Sequence, residues 1–361
     1  MVSKKQIIGS FFAFVFLFTT LYGQGPFRYG TTAASFLELG VGSAAVGMGE
    51  ATVAVVNDVS SVYWNPAGLG HLRGFQSQFM YQPWIADINT AFAGLAYNAG
   101  RYGSFGLSIY QIDYGSMDVT TLDYQGGTGE KFGANEYSLS FTYGKRLVQW
   151  FSFGFSTKLV TSQIWHSTAS AVALDLGVLI NTQFLSATGD RENGLVIGMS
   201  ITNYGSRLKY DGMDLLVPID ISPYEEGNYS NVTGQFTTGS WDLPLLFRLG
   251  VKVKPIVKDY HELAFAVDAL HPTNNSEHLN VGLEYKLKSP GFGSFFIRCG
   301  QKALFMDSDD QNRYGSSEYG TNFGLGLNIN FLNNITTTID YAYKSLGILG
   351  GVNLFTITFS Y

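Results

Sequence analysis

The fold this sequence predicts is all-β: a transmembrane antiparallel β-barrel of about 14 strands with a small N-terminal hatch in its lumen. Three observations carry that prediction. From residue 73 onward, apolar and polar residues alternate in runs of mostly 10–13. That matches the roughly 9–11 residues a tilted strand needs to cross a bilayer and exceeds the five or six of an average soluble strand. Charged residues make up only 14% of the chain, against roughly 25% in soluble domains, yet no apolar run reaches the ~18 residues of a membrane helix. Low charge without such a helix leaves the closed barrel as the membrane-compatible form. Finally, the three longest connections between the runs are all odd-numbered.

Residues 1–23 form a separate object. Lys4 and Lys5 precede an apolar run over 7–18, and Gly23 supplies a small residue at the exit. This is the pattern of a secretory signal peptide, with cleavage expected after Gly23. Loss of the two lysines and no acid takes the formal charge from −6 to −8. An acidic mature chain without a basic block argues against nucleic acid as a partner. Cys299 is the only cysteine, so neither an internal disulfide nor a cysteine zinc site is possible. Stability must come from elsewhere, such as a continuous hydrogen-bond ladder.

Residues 24–72 read as a hatch segment. The stretch 36–72 packs Gly, Ala and Ser densely, which suits backbone passing close to other backbone. Pro66 removes a donor and restrains Asn65, so Asn65-Pro66-Ala67 predicts a fixed turn. Strand parity places this segment at the periplasmic mouth, within reach of the lumen.

Residues 73–361 resolve into fourteen alternating runs: 74–83, 88–98, 103–113, 135–145, 151–164, 169–183, 194–204, 242–254, 260–270, 278–288, 293–303, 320–331, 335–345 and 351–361. One face of each is greasy; the other holds Gly, Ser, Thr, Asn and a few charges, the division expected between lipid and lumen. The three longest connections, 114–134, 205–241 and 304–319, follow runs three, seven and eleven. All are odd, which predicts long loops at one end and both barrel termini at the other, periplasmic end. Even connections are mostly turn-sized, such as 98–102, 289–292 and 332–334; the sixth, 185–193, is the longest of that set. Trp84, Trp165 and Trp241 fall near expected outer strand ends and Trp150 near an inner one, as an interfacial girdle would have them. The chain closes on an alternating strand that finishes on Tyr361.

Motifs that carry chemistry dissolve on inspection. Gly40-Val41-Gly42-Ser43-Ala44-Ala45 matches a nucleotide-loop pattern, but lacks the preceding buried strand and the βαβ unit such a loop needs. The five histidines show no metal-ligand spacing, and Asp307-Ser308-Asp309-Asp310 lacks the glycine and terminal glutamate of a calcium loop. The sequence predicts neither an enzyme nor a cofactor. More informative are Lys158, Asp175, Arg248, Asp268, Glu284, Arg298 and Asp340, which parity places on the lumen face. Mixed signs there pair with one another or with a hatch, and structural ion pairing is favoured over a transport pathway.

Two stretches carry a family resemblance: Gly-Val-Gly-Ser-Ala-Ala-Val-Gly-Met-Gly-Glu-Ala at 40–51, and Asn57-Asp58-Val59-Ser60-Ser61-Val62-Tyr63-Trp64-Asn65-Pro66-Ala67-Gly68-Leu69. With Asp340-Tyr341-Ala342-Tyr343, Leu346-Gly347 and the closing strand, they resemble the PorV/PorQ family of outer-membrane proteins, within the FadL-like superfamily. The resemblance implies a fourteen-stranded outer-membrane barrel with an N-terminal hatch, surrounded by outer-membrane lipid. Its first functional implication is type IX secretion, with secreted cargo C-terminal domains and secretion-system components as partners. The alternative it implies is a FadL-like channel for long-chain fatty acids or other hydrophobic solutes.

Overall fold

Alternation at period two describes a surface with two faces, and fourteen strands realise it. The computed structural model describes residues 30–222, 224, 232–306, 319–330 and 335–361. The expected signal peptide, the acidic stretch 307–310 and the turn at 332–334 lie outside them. The barrel strands are β1 (Phe75–Pro83), β2 (Asn89–Asn98), β3 (Ser104–Asp118), β4 (Lys131–Val148), β5 (Phe151–Ile164), β6 (Ser167–Asn181), β7 (Val196–Gly205), β8 (Leu246–Val257), β9 (His261–Pro272), β10 (His278–Ser289), β11 (Gly293–Leu304), β12 (Thr321–Asn330), β13 (Thr336–Ser345) and β14 (Gly351–Ser360). Each pairs antiparallel with its sequence neighbour, and β14 returns to β1 in a register running from Gln76↔Ser360 to Tyr81↔Phe355. Closure leaves no strand edge unpaired, which is what a sheet in hydrocarbon requires.

The two faces separate cleanly. On β3, Phe105, Leu107 and Ile109 are exposed, while Ser104, Ser108 and Tyr110 between them are buried. The same holds on β14, where Phe355 and Phe359 point out and Leu354, Thr356 and Thr358 point in. The outward face is thus an apolar belt of the kind that lipid covers. The connections after β3, β7 and β11 lie at one end of the barrel, here the loop end; the opposite, turn end holds both barrel termini and the β6–β7 connection, residues 182–195.

The largest departure in strand length is the β3–β4 hairpin, which runs to Asp118 and resumes at Lys131, beyond the expected 113 and 135. Its ladder shifts register between Asp113 and Ser116 and then continues through Met117↔Phe132. Sheet pairing does not stop where the apolar alternation stops. In the long loop after β7, two short strands, Leu216–Ile219 and Val232–Gln235, form a hairpin of their own.

Two ladder irregularities are sealed by lumen side chains. At β6–β7, Asn203 takes φ 65° and its N–H donates to the Asp175 carboxylate at 2.8 Å. At β10–β11, Ala303 takes φ 57° and its N–H donates to Asn280 Oδ1 at 2.9 Å. A side chain from the neighbouring strand replaces the missing backbone acceptor, so neither of these two N–H groups is orphaned.

Residues 30–72 lie inside the barrel. They include α1 (Ser43–Gly47), α2 (Ser61–Trp64) and two 3₁₀ turns, Ser35–Glu38 and Pro66–His71. The expectation that this segment sits at the periplasmic mouth is corrected by its length of travel. Ala33 N–H donates to the Asp242 carbonyl at 3.0 Å, and Asn274 Nδ2 donates to Thr32 Oγ1 at 2.9 Å and Glu38 Oε2 at 3.0 Å. Asp242 and Asn274 both belong to loop-end connections, whereas Leu72 reaches the turn end, where Asn98 donates to its carbonyl. The segment therefore traverses the lumen from one end to the other.

Candidate functional site

The candidate site is the filled lumen, and its first component is close approach of backbone to backbone. A Cβ on Gly154 would sit 2.4 Å from the Pro66 carbonyl carbon, one on Gly198 would sit 2.4 Å from the Val53 carbonyl oxygen, and one on Gly300 would sit 2.2 Å from the Met48 carbonyl carbon. Gly282 and Gly324 meet Met48 and Gly47 in the same way, and Gly177 makes room for the Asn65 carboxamide. These glycines come from six different strands, so at each of these points the wall presents no side chain to the segment.

Asn65-Pro66-Ala67 forms the turn that the sequence suggests. Asn65 leaves α2 in extended conformation (φ −159°, ψ 103°), and Pro66 opens the 3₁₀ turn, a position that needs no N–H. The Asn65 carboxamide is fully buried: Nδ2 donates to the Val53 carbonyl at 2.8 Å and the Val178 carbonyl at 3.1 Å, while Oδ1 accepts from Ala67 N–H at 3.2 Å. One side chain thus caps a turn, staples two parts of the segment and ties both to β6.

The seven parity-assigned charges all face the lumen, where they fall into three groups. Lys158 pairs with Asp175 at 2.6 Å and donates to Asn203 at 2.9 Å. Arg298 contacts Glu284 at 2.7 Å and Asp340 at 2.6 Å. Asp268 and Arg248 engage the segment: Asp268 Oδ2 accepts the Thr52 and Val53 N–H groups at 2.7 and 2.9 Å, and the Arg248 guanidinium lies 5.3 Å from the Trp64 ring centre.

A further cluster was not singled out from the sequence. Glu50, 3% exposed, receives the ammonium of Lys344 on Oε1 and that of Lys302 on Oε2, each at 2.7 Å. Glu50 also takes φ 64°, a left-handed conformation costing a non-glycine residue of order 1–3 kcal/mol. Burial pushes its carboxyl up, but the two lysines outweigh this and hold it at about 2. The signal was present, since Lys344 shares parity with Asp340, and Lys302 with Arg298. Trp84 corrects the girdle expectation: it packs against the buried core, with the Lys344 ammonium 5.4 Å from its ring centre. Trp150 and Trp241 remain exposed.

The lumen is chemically divided. Around the loop-end half of β1 to β6 and β14, Met80, Phe92, Tyr110, Ile112, Val160 and Leu354 enclose Phe36, Leu37 and Val41 of the segment in one apolar cluster. At the turn end, two adjoining cavities of about 350 and 530 Å³ open beneath residues 54–58, lined largely by charged and polar side chains. Gly40 to Ala45, the apparent nucleotide loop, instead enters α1, where Ser43 N–H donates to Thr356 Oγ1 at 2.9 Å.

No family model matches the sequence, and no curated protein matches it either. Among solved structures, a FadL homologue of Pseudomonas aeruginosa is similar at a TM-score of 0.50 and 11% identity, over 93% of this chain and 99% of that one. The Ralstonia pickettii toluene transporter TbuX is similar at 0.51 and 10%, over 89% and 97%. The CymD monoaromatic hydrocarbon channel is similar at 0.52 and 11%, over 89% and 96%. The fold is that of the FadL-like outer-membrane barrels. At these identities the likeness is one of fold, and it speaks for the FadL-like architecture without singling out the PorV/PorQ branch. Of these three, one is described as a toluene transporter and one as a monoaromatic hydrocarbon channel.

Proposed function

We propose that the protein passes hydrophobic small molecules, such as long-chain fatty acids or aromatic hydrocarbons, across the outer membrane, with residues 30–72 as the plug that holds the lumen shut. The observation that carries this reading is the apolar cluster in the loop-end half of the lumen. A pore for polar solutes keeps a wet, polar interior, whereas the apolar wall beneath the outer loops, packed against Phe36, Leu37 and Val41 of the plug, gives a hydrophobic solute somewhere to leave water once the plug moves aside. Proteins of the same fold that carry toluene or monoaromatic hydrocarbons support the same reading. The test is uptake of labelled toluene and labelled oleate by cells with and without the gene. Deletion should slow entry of at least one and complementation should restore it; equal uptake of both would sink the proposal.

One observation favours a second reading, in which the outer loops bind secreted cargo C-terminal domains and secretion-system components of type IX. Large apolar side chains stand in water on those loops, among them Leu122 at 93% and Tyr224 at 99% exposure, and exposed apolar patches mark protein contacts. Under this reading the deletion strain loses proteins from its secretome while solute uptake is unchanged.

A further inference from the structure

The two turn-end cavities share Val55, Val56, Asn57, Asp58, Gln76, Lys252 and Lys254 in their walls, so they form one vestibule beneath the plug. Its charges are partly paired among themselves. Arg298 is saturated by Glu284 and Asp340. Glu262 is held between Lys254, at 3.8 Å, and Lys288. Asp58 is occupied by the N–H and hydroxyl of Ser60, at 2.9 and 2.5 Å. The two walls carry six cations, Arg73, Arg146, Lys252, Lys254, Lys286 and Arg298, against five acids, and two of the lysines make no ion pair among the described residues. Lys252 faces both cavities and has no ion-pair partner among the described residues. Lys286 likewise has none, its ammonium lying 5.3 Å from the Phe296 ring centre. Across the vestibule Arg146 donates to the Gln149 carbonyl rather than to a carboxylate. Glu192, an exposed turn residue, is the remaining acid in the wall.

A concave, low-dielectric wall focuses the field of such residual charge and raises the local concentration of anions. The two volumes lie within the range of small-molecule sites. We propose that this vestibule is a binding site for a small anion bearing a carboxylate or phosphate group, held by Lys252 and Lys286 with Lys254 beside them. The site is independent of whether the protein carries hydrophobic solutes or secreted proteins.

Calorimetric titration of the full-length barrel in detergent tests it, with inorganic phosphate in one arm and octanoate below its micellar concentration in the other. Saturable binding is expected in at least one arm, weakened tenfold or more by Lys252→Gln with Lys286→Gln. It should be retained by the charge-preserving Lys252→Arg with Lys286→Arg, and unchanged by Lys209→Gln on the exposed long loop. A response to phosphate alone assigns a phosphoanion, and one to octanoate alone assigns an amphiphile carboxylate. Heat-modifiable gel mobility shows that each variant is a folded barrel. Absence of saturable binding in both arms, or equal binding by the glutamine variant, overturns the site.

Discussion

Glu50→Gln isolates the charge of the ion-paired contact between plug and wall. The substitution keeps the shape of the side chain and leaves the Lys302 and Lys344 ammoniums, formerly 2.7 Å from the carboxylate, facing each other with no counter-ion. Removing one partner of a buried ion pair costs about 3–5 kcal/mol. The glutamine carbonyl still accepts one hydrogen bond, so the lower end, about 3 kcal/mol, applies to the docked state. In an undocked state the lysines hydrate and the cost disappears. At about 1.4 kcal/mol per factor of ten, the undocked population rises roughly a hundredfold. In planar bilayers the wild-type protein should conduct only in rare openings, and Glu50→Gln should raise open time by about that factor. Adding Lys344→Met removes one stranded ammonium and should return part of the closed time. A folded Glu50→Gln barrel that stays as closed as wild type refutes the assignment of Glu50 as the plug's anchor.

Three other outcomes follow from the same contacts. Gly154→Val and Gly300→Val place carbon where the plug backbone stands, 2.4 and 2.2 Å away, an overpacking of about 1–3 kcal/mol or more. Hydrogen exchange within residues 43–70 should quicken about tenfold in each, and unchanged protection would show that the plug is not seated on these glycines. Glu50 has its carboxyl depressed to about 2, so its contribution is complete above the ordinary carboxyl value near 4.5 and is lost as pH falls toward 2. Conductance should be flat from neutral pH to about 4.5 and rise below it, and a rise already at pH 6 would point to another group. For orientation, cysteines placed at Gly30 and Thr128 should react with an impermeant reagent on intact cells, and one at Lys258 should not. The opposite pattern inverts the barrel.

How much of this was legible in the sequence differs from residue to residue. The strands were, because bilayer thickness sets their length and two unlike solvents set their period. Tyr137 to Tyr143 could hardly be read otherwise. The ends were less so where the ladder outlasts the membrane, as at Met117↔Phe132, since backbone pairing leaves no trace in hydrophobicity. Parity found the facing of Lys158, Asp175 and Arg298, but not which acid each would meet. Glu50 escaped because the segment around it has no period from which to argue, and its partner Lys344 lies 294 positions away. The glycines of the wall were read only as small lumen residues. Their reason for being small is a second backbone, which local sequence does not encode. The reach of residues 30–38 to the loop end likewise depends on Asp242 and Asn274, contacts that only the assembled barrel brings within range.

The closing pair of strands has a consequence for how the molecule is made. β14 completes the ring against β1, yet Thr356, on that last strand, is hydrogen-bonded to Ser43, 313 positions earlier. A chain that runs end to end through a ring must be laid on the sheet before the ring shuts or be pulled through a finished hole. Laying it down lets each newly inserted hairpin be shaped on a template, with wall glycines meeting plug backbone as they arrive. Threading it through would mean first building a cavity of bare glycine and unpaired Asp268, then dehydrating both at once. Closing the seam between first and last strands after the plug is laid down spares the molecule that step.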